Sequence, residues 1–124
     1  MKTTIKPNTK RFRAISLNDN ISLTTAWAND SSYEHVFKEQ LENLMKPNDV
    51  AIAISGSGNS KNVLLATEFA RKNGGVTVGL TGFDGGALKH AASVPIVVPS
   101  NDMLRIEDTH LAICHLLVRL IRDA

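Results

Sequence analysis

The sequence predicts an α/β domain with a parallel, right-handed sheet, and three observations carry that reading. Val50 to Ile54 is an unbroken run of β-branched residues and alanine, the pattern of a strand buried on both faces. Two more short apolar runs, Val76–Leu80 and Val94–Val98, follow it. Helical patterns separate all three, so strands and helices alternate as in βαβ units.

Taken in order, residues 1–10 are polar and interrupted by Pro7. Arg11 to Leu17 reads as a short strand. Asn18-Asp19-Asn20 turns the chain into a helical segment around Leu23 to Trp27, and Asn29-Asp30 follow it. Ser31 with Glu34 forms a capping-box pattern ahead of a helix from Ser32 to about Met45. That helix carries Tyr33, Phe37, Leu41 and Leu44 at near-helical spacing, and Lys46-Pro47-Asn48-Asp49 breaks it. After the strand at Val50 comes a polar loop, then a helix with Val63, Leu65, Ala66 and Phe69 on its apolar side. Gly74-Gly75 stops this helix. The strand Val76–Leu80 runs into Thr81-Gly82-Phe83-Asp84-Gly85-Gly86, Ala87–Ala92 is a short helix, and Val94–Val98 is the third strand. The last helix spans about Asp102 to Arg122 and is apolar nearly all round, apart from a stripe of Asp108, His115, Arg119 and Arg122. Such a helix is buried, and in a chain of this size the expected cover is another subunit.

Composition narrows the function classes. The 124 residues suffice for one domain with its own core, and 43% hydrophobic content is that of a globular chain. A net charge of +2 with 5% aromatics gives neither the basic field nor the stacking surface of a nucleic-acid binder. No apolar stretch reaches the roughly 18 residues a membrane span requires. The basic lead-in (Lys2, Lys6, Lys10, Arg11, Arg13) lacks the apolar centre of a signal peptide. The single cysteine, Cys114, lies in an apolar run and fits a reducing cytoplasm.

The chemistry concentrates at Ser55-Gly56-Ser57-Gly58-Asn59-Ser60, between a strand and a helix N-terminus. Glycines let backbone N–H groups approach an anion, hydroxyls donate to it, and the helix dipole favours negative charge. A dinucleotide fingerprint would need glycine where Lys61 stands, and a P-loop would need Gly-Lys-Ser/Thr after a longer loop. Hydroxyls in place of glycines and lysine suit one terminal phosphate held by side chains. In parallel sheets ligands sit at the carboxyl ends of the strands, where Ser55, Thr81 and Ser100 fall.

A further set of segments occurs in a single order from about residue 14 to the end. They are Ala14-Ile15-Ser16-Leu17, Ala28-Asn29-Asp30, Tyr33-Glu34 with Val36-Phe37, and the serine loop with Asn62-Val63. Leu80-Thr81-Gly82, Asp84-Gly85-Gly86, Val98-Pro99-Ser100, Arg105-Ile106-Glu107-Asp108-Thr109-His110 and His115 complete the set. Together they resemble the sugar isomerase (SIS) domain family, and within it the phosphoheptose isomerases. The resemblance implies a flavodoxin-like three-layer sandwich with a parallel sheet, and a homotetramer with sites built between subunits. It implies isomerisation of sedoheptulose 7-phosphate to D-glycero-D-manno-heptose 7-phosphate, a precursor of bacterial lipopolysaccharide heptose. Ser55, Ser57 and Ser60 would hold the phosphate, with Gly56 offering only backbone where the family usually has threonine. Asn29 and Asp30 would contact the sugar. His115 matches the family's catalytic histidine, which in several members also binds zinc, and Glu107 stands where the family has a glutamine touching substrate and metal.

The same resemblance sets expectations of absence. Family members begin with helices, a first strand and a helix bearing a histidine and a catalytic glutamate, none of which has a counterpart here. Residues 1–13 then form a lead-in and 14–124 an incomplete phosphosugar-binding domain, its missing strand belonging between Arg11–Leu17 and Val50–Ser55. An aldose–ketose isomerisation needs a base and an acid around an enediol. The chain offers His115 alone, so weak phosphosugar binding and poor turnover are expected. The competing reading is a non-catalytic phosphosugar-binding module that regulates, or that binds the replication initiator as a related SIS protein does. Without the resemblance, His115 would be a core or interface histidine and Glu107 an ordinary first-turn acid. His110 is expected to be structural, and His35 and His90 are expected at the surface.

Overall fold

A computed structural model describes residues 12–123. The elements in chain order are α1 (Ile21–Asp30), a 3-10 turn (Tyr33–His35), α2 (Val36–Leu44), β1 (Val50–Ser55) and α3 (Lys61–Lys72). Then come β2 (Val76–Gly82), α4 (Leu88–Ala91), β3 (Val94–Val98) and α5 (Met103–Asp123). The strands form one parallel sheet in the order β1-β2-β3, with Val50 opposite Val76 and Val78 opposite Val94.

Alternation along the strands assigns the two faces. Gly79 lies on the face covered by α4, where an added Cβ would meet Leu88 and Ala92. The next residue of that parity, Thr77, shares a hydrogen bond with Ser93 at 3.1 Å. Both crossovers step the same way across the sheet, so right-handedness puts α3 on this side as well. Gly82 belongs to the opposite face, where an added Cβ would run into Ile106 of α5. The molecule is thus the expected three-layer α/β sandwich, with Leu80, Leu88 and Ile106 fully buried at its centre. Removing each of these from water contributes about 2 kcal/mol.

Local chemistry explains most of the boundaries. The Asn20 side chain accepts from the Leu23 amide at 2.9 Å and starts α1. α3 ends where Gly74 adopts φ 79, and the Gly75 amide closes the helix on the Ala70 carbonyl at 2.9 Å. Asp102 opens α5 by accepting from the Leu104 amide at 3.0 Å.

Several expectations need correction. Of the strand expected at Arg11–Leu17, residues 12–17 are described and are not a strand; Phe12 and Ile15 are exposed. A strand is held by ladder bonds, and among the described residues nothing pairs with the outer edge of β1. Residues 1–11 of the expected lead-in lie outside the described residues. Nor is β1 buried on both faces: Val50, Ile52 and Ile54 are 47–61% exposed, because α5 packs on β2 and β3 rather than over β1. The Ser31–Glu34 capping box is replaced by other partners. Ser31 and Ser32 hydroxyls reach His35 Nδ1 at 3.3 and 3.0 Å, while Glu34 pairs with Lys61. His35 is therefore half-buried and bonded, whereas His90 is exposed as expected.

The seam that α3 buries is Asn62, Ala66, Thr67 and Ala70 rather than its larger apolar residues. Small side chains let its backbone approach the sheet, and Val63, Leu65 and Phe69 are left half-buried. Phe69 also meets α2, with Lys38 Nζ 5.9 Å from its ring centroid. α5 differs most: within the chain only Ile106 and His110 are buried, and Leu104, Leu111, Leu116, Val118, Leu120 and Ile121 are 44–71% exposed.

Candidate phosphate-binding site

Ser55 ends β1 as a buried residue, its Oγ donating to Ser60 Oγ at 3.0 Å. The Gly58 amide returns to the Ser55 carbonyl at 2.9 Å, turning the loop back on the strand. Gly58 sits at φ 69 with the Gly85 carbonyl and Thr81 Oγ1 packed where a side chain would project. Only glycine meets both demands at this position. The Asn59 amide donates to Ser57 Oγ at 3.2 Å and its side-chain Nδ2 to the Ser57 carbonyl at 3.0 Å.

The loop is braced from outside as well. Gly82 N–H donates to the Gly56 carbonyl at 2.8 Å, Leu88 N–H to the Gly58 carbonyl at 2.9 Å, and Phe83 N–H to the Ser100 carbonyl at 3.2 Å. Ala87 N–H donates to Asn59 Oδ1 at 3.0 Å. The loops after all three strands are therefore one hydrogen-bonded unit. Gly86 N–H donates to Asp84 Oδ1 at 3.1 Å, holding the bracing turn in shape.

Ser57 and Ser60 are exposed at the mouth of α3. Ser60 starts this helix through its carbonyl, which accepts from Leu64 N–H at 3.0 Å, and makes no side-chain cap bond. A helix N-terminus leaves its first N–H groups without intrahelical partners. Val63 N–H donates to Asn62 Oδ1 at 2.9 Å, and the serine hydroxyls still meet the positive end of the α3 dipole, an arrangement suited to a dianion. Lys61 follows directly, and its Nζ donates to Glu34 Oε1 at 2.9 Å. The hydrogen bond with Glu34 raises the lysine above its ordinary 10.5, so it is cationic at neutral pH.

The remaining expected site residues are placed differently. Asn29 and Asp30 lie in the last turn of α1, exposed, with Asn29 Nδ2 donating to Asp30 Oδ1 at 3.4 Å. They precede the 3-10 turn that packs on α3, so the Lys61–Glu34 pair ties their neighbourhood to the serine loop. α5 begins beside the loop: a Cβ on Gly56 would meet the Met103 sulfur. Glu107 and His115 are both exposed on this helix. At 1.5 Å per residue His115 stands about 18 Å along the axis from Met103, so one chain does not bring it to its own loop.

A rise of about 12 Å separates Glu107 from His115, so one ion could bridge them only with both side chains leaning toward each other along the helix. Among the described residues no three His, Cys, Asp or Glu side chains gather to hold a metal. The described donors of a single chain therefore do not by themselves complete a zinc centre. His110 is buried and donates from Nε2 to the Thr81 carbonyl at 3.2 Å, a structural link between α5 and β2. A separate depression lies between residues 14–23 and the Gln40–Leu44 part of α2, lined by Ile15, Ile21, Leu23, Gln40, Asn43 and Leu44 among others.

Two features had no linear signal. The Lys61–Glu34 pair joins residues 27 apart, and Asn59 reaches Ala87 across 28. Only the strand–loop–helix unit itself was readable in sequence.

The sequence pattern of the SIS domain family matches residues 21–117. The phosphoheptose isomerase of Trichlorobacter lovleyi is 45% identical over 110 residues, covering 89% of this chain and 56% of the relative. That of Helicobacter pylori HPAG1 is 49% identical over 108 residues, covering 87% of this chain and 56% of the relative. Among solved structures, the phosphoheptose isomerases of Francisella tularensis and Neisseria gonorrhoeae each superpose with TM-score 0.86, at 30% and 33% identity. Each covers 89% of this chain, which in turn covers 59% and 61% of theirs. The chain thus spans less than two thirds of the length of these relatives. With its family pattern running across most of the fold and through the serine loop, the chain belongs to the SIS domain family.

Proposed function

We propose that this chain forms the phosphate-gripping part of a sedoheptulose 7-phosphate isomerase serving bacterial lipopolysaccharide heptose synthesis in the cytoplasm. The observation that carries the reading is the serine loop, set at the mouth of α3 and braced from the ends of β2 and β3. The 45–49% identity to phosphoheptose isomerases supports the same substrate class. Ser55, Gly56, Ser57 and Ser60 take the phosphate, Asn29 and Asp30 the sugar, and His115 moves a proton between neighbouring carbons through an enediol.

His115 stands about 18 Å along α5 from the loop end of its own chain, so it serves the loop of another copy. The exposed apolar surface of α5 is the natural contact for that copy, in keeping with a homotetramer. A second reading, a phosphosugar-binding regulator or replication-initiator partner, draws on the same separation: the loop is complete within one chain while the acid/base machinery is not.

Titration calorimetry with sedoheptulose 7-phosphate and with unphosphorylated sedoheptulose tests the common core of both readings. Binding is expected only for the phosphate ester, and paired Ser55→Ala and Ser60→Ala changes weaken it at least tenfold, the equivalent of about 1.4 kcal/mol. Equal binding of both sugars overturns the assignment. Turnover that vanishes in His115→Ala separates the isomerase from the regulator.

A further inference from the structure

We propose that Lys61 is a specificity-determining residue of the phosphate loop, and that Glu34 competes with bound phosphate for it. The inference rests on the reading of the serine loop as a phosphate site and adds a charge-selective element to it. Lys61 is the first residue of α3, directly after Ser60. A cation there opposes the helix dipole, and no acidic residue stands in the first turn to offset it. The countercharge comes instead from Glu34 in the 3-10 turn, at 2.9 Å. With side chains 73% and 47% exposed, that pair is weakly held and readily exchanged.

The placement has a chemical consequence. A phosphate monoester seated on the Ser55, Ser57 and Ser60 hydroxyls lies one residue from Lys61 and carries more charge than a carboxylate. Charge-assisted bonds to such a dianion outweigh an exposed carboxylate pair, so phosphate takes the lysine and releases Glu34. A neutral sugar cannot make that exchange. Glu34 lies just beyond Asn29 and Asp30 in sequence, so its release also frees the turn next to the expected sugar contacts. The pair therefore acts as a latch that opens for phosphorylated ligands.

Titrations of sedoheptulose 7-phosphate into the parent, Lys61→Met, Glu34→Gln and the double variant test this. Lys61→Met is expected to raise Kd about tenfold, as for a lost hydrogen bond to a charged group. Glu34→Gln is expected to lower it roughly two- to threefold by removing an exposed competitor. The gain from Glu34→Gln disappears when Lys61 is already Met, and the dependence of Kd on salt is shallower without the lysine. Equal weakening by both single variants would mean a structural brace and overturns the proposal. So does unchanged binding by Lys61→Met while the Ser55 and Ser60 variants lose affinity, a result that leaves the loop assignment standing. Should the parent show no preference for the phosphorylated sugar, the loop reading and this one fall together.

Discussion

At Gly58 a single added methyl group has nowhere to go. The residue holds φ 69, and the Gly85 carbonyl and Thr81 Oγ1 occupy the space a Cβ would need. Gly58→Ala is expected to lower stability by about 2 kcal/mol, read as a shifted urea midpoint with unchanged slope. Gly56 makes an instructive contrast, because a Cβ there meets the end of the flexible Met103 side chain rather than backbone. Gly56→Thr is therefore expected to fold normally and to supply a fourth hydroxyl, tightening phosphosugar binding in titration. The resemblance set Gly56 apart as a position where the family usually has threonine, but the steric difference between these glycines was invisible in sequence. What could be read was the local chemistry of a hydroxyl-rich loop between strand and helix. Partners that come from 27 or 28 residues away, such as Glu34 for Lys61 and Ala87 for Asn59, depend on the completed fold.

Among the elements, α5 shows the widest gap between what its sequence demands and what its own chain provides. An apolar pattern on nearly every side was legible, and it implied burial. The fold satisfies that demand only at Ile106 and His110, near the start, where the helix crosses the carboxyl ends of β2 and β3. Further along, Leu116, Val118 and Leu120 are more than half exposed. Helices draw most of their stability from packing, so this half of α5 is expected to depend on another surface. Leu116→Lys with Leu120→Lys should shift sedimentation toward the smallest species and reduce helical circular dichroism, without changing the urea midpoint of the sheet. Unchanged sedimentation would mean that this half of α5 carries no subunit contact. The surface pairs of α2 behave differently. Lys38 is raised above 10.5 by its hydrogen bonds to Glu42 and Glu39. Whatever these pairs contribute is present below the ordinary lysine value and lost only as pH climbs through the raised one, so neutral-range stability is indifferent to them.

For the molecule as a whole, the parallel sheet is dressed unevenly. One face lies under α3 and α4, while on the other α5 leaves Val50, Ile52, Ile54, Val76 and Val94 between 44% and 61% exposed. The continuous apolar run of β1 predicted cover on both faces, and among the described residues only one face receives it. It could not say that one of them would lack cover from these residues, because burial depends on which elements pack over the strand and not on the strand alone. The same strand has an outer edge with no ladder partner among the described residues, and an open apolar edge invites pairing with other chains. If that face stands in water, Ile52→Thr keeps β propensity and removes only exposed surface. Stability should then move by less than about 0.5 kcal/mol, as for an ordinary surface change, while dye binding to apolar surface and light scattering both fall. If instead the face is packed in solution, the substitution buries a hydroxyl and deletes a packed group, and the loss exceeds about 1 kcal/mol. The sign and size of one urea midpoint therefore decide whether this sheet works alone or as one side of a larger core.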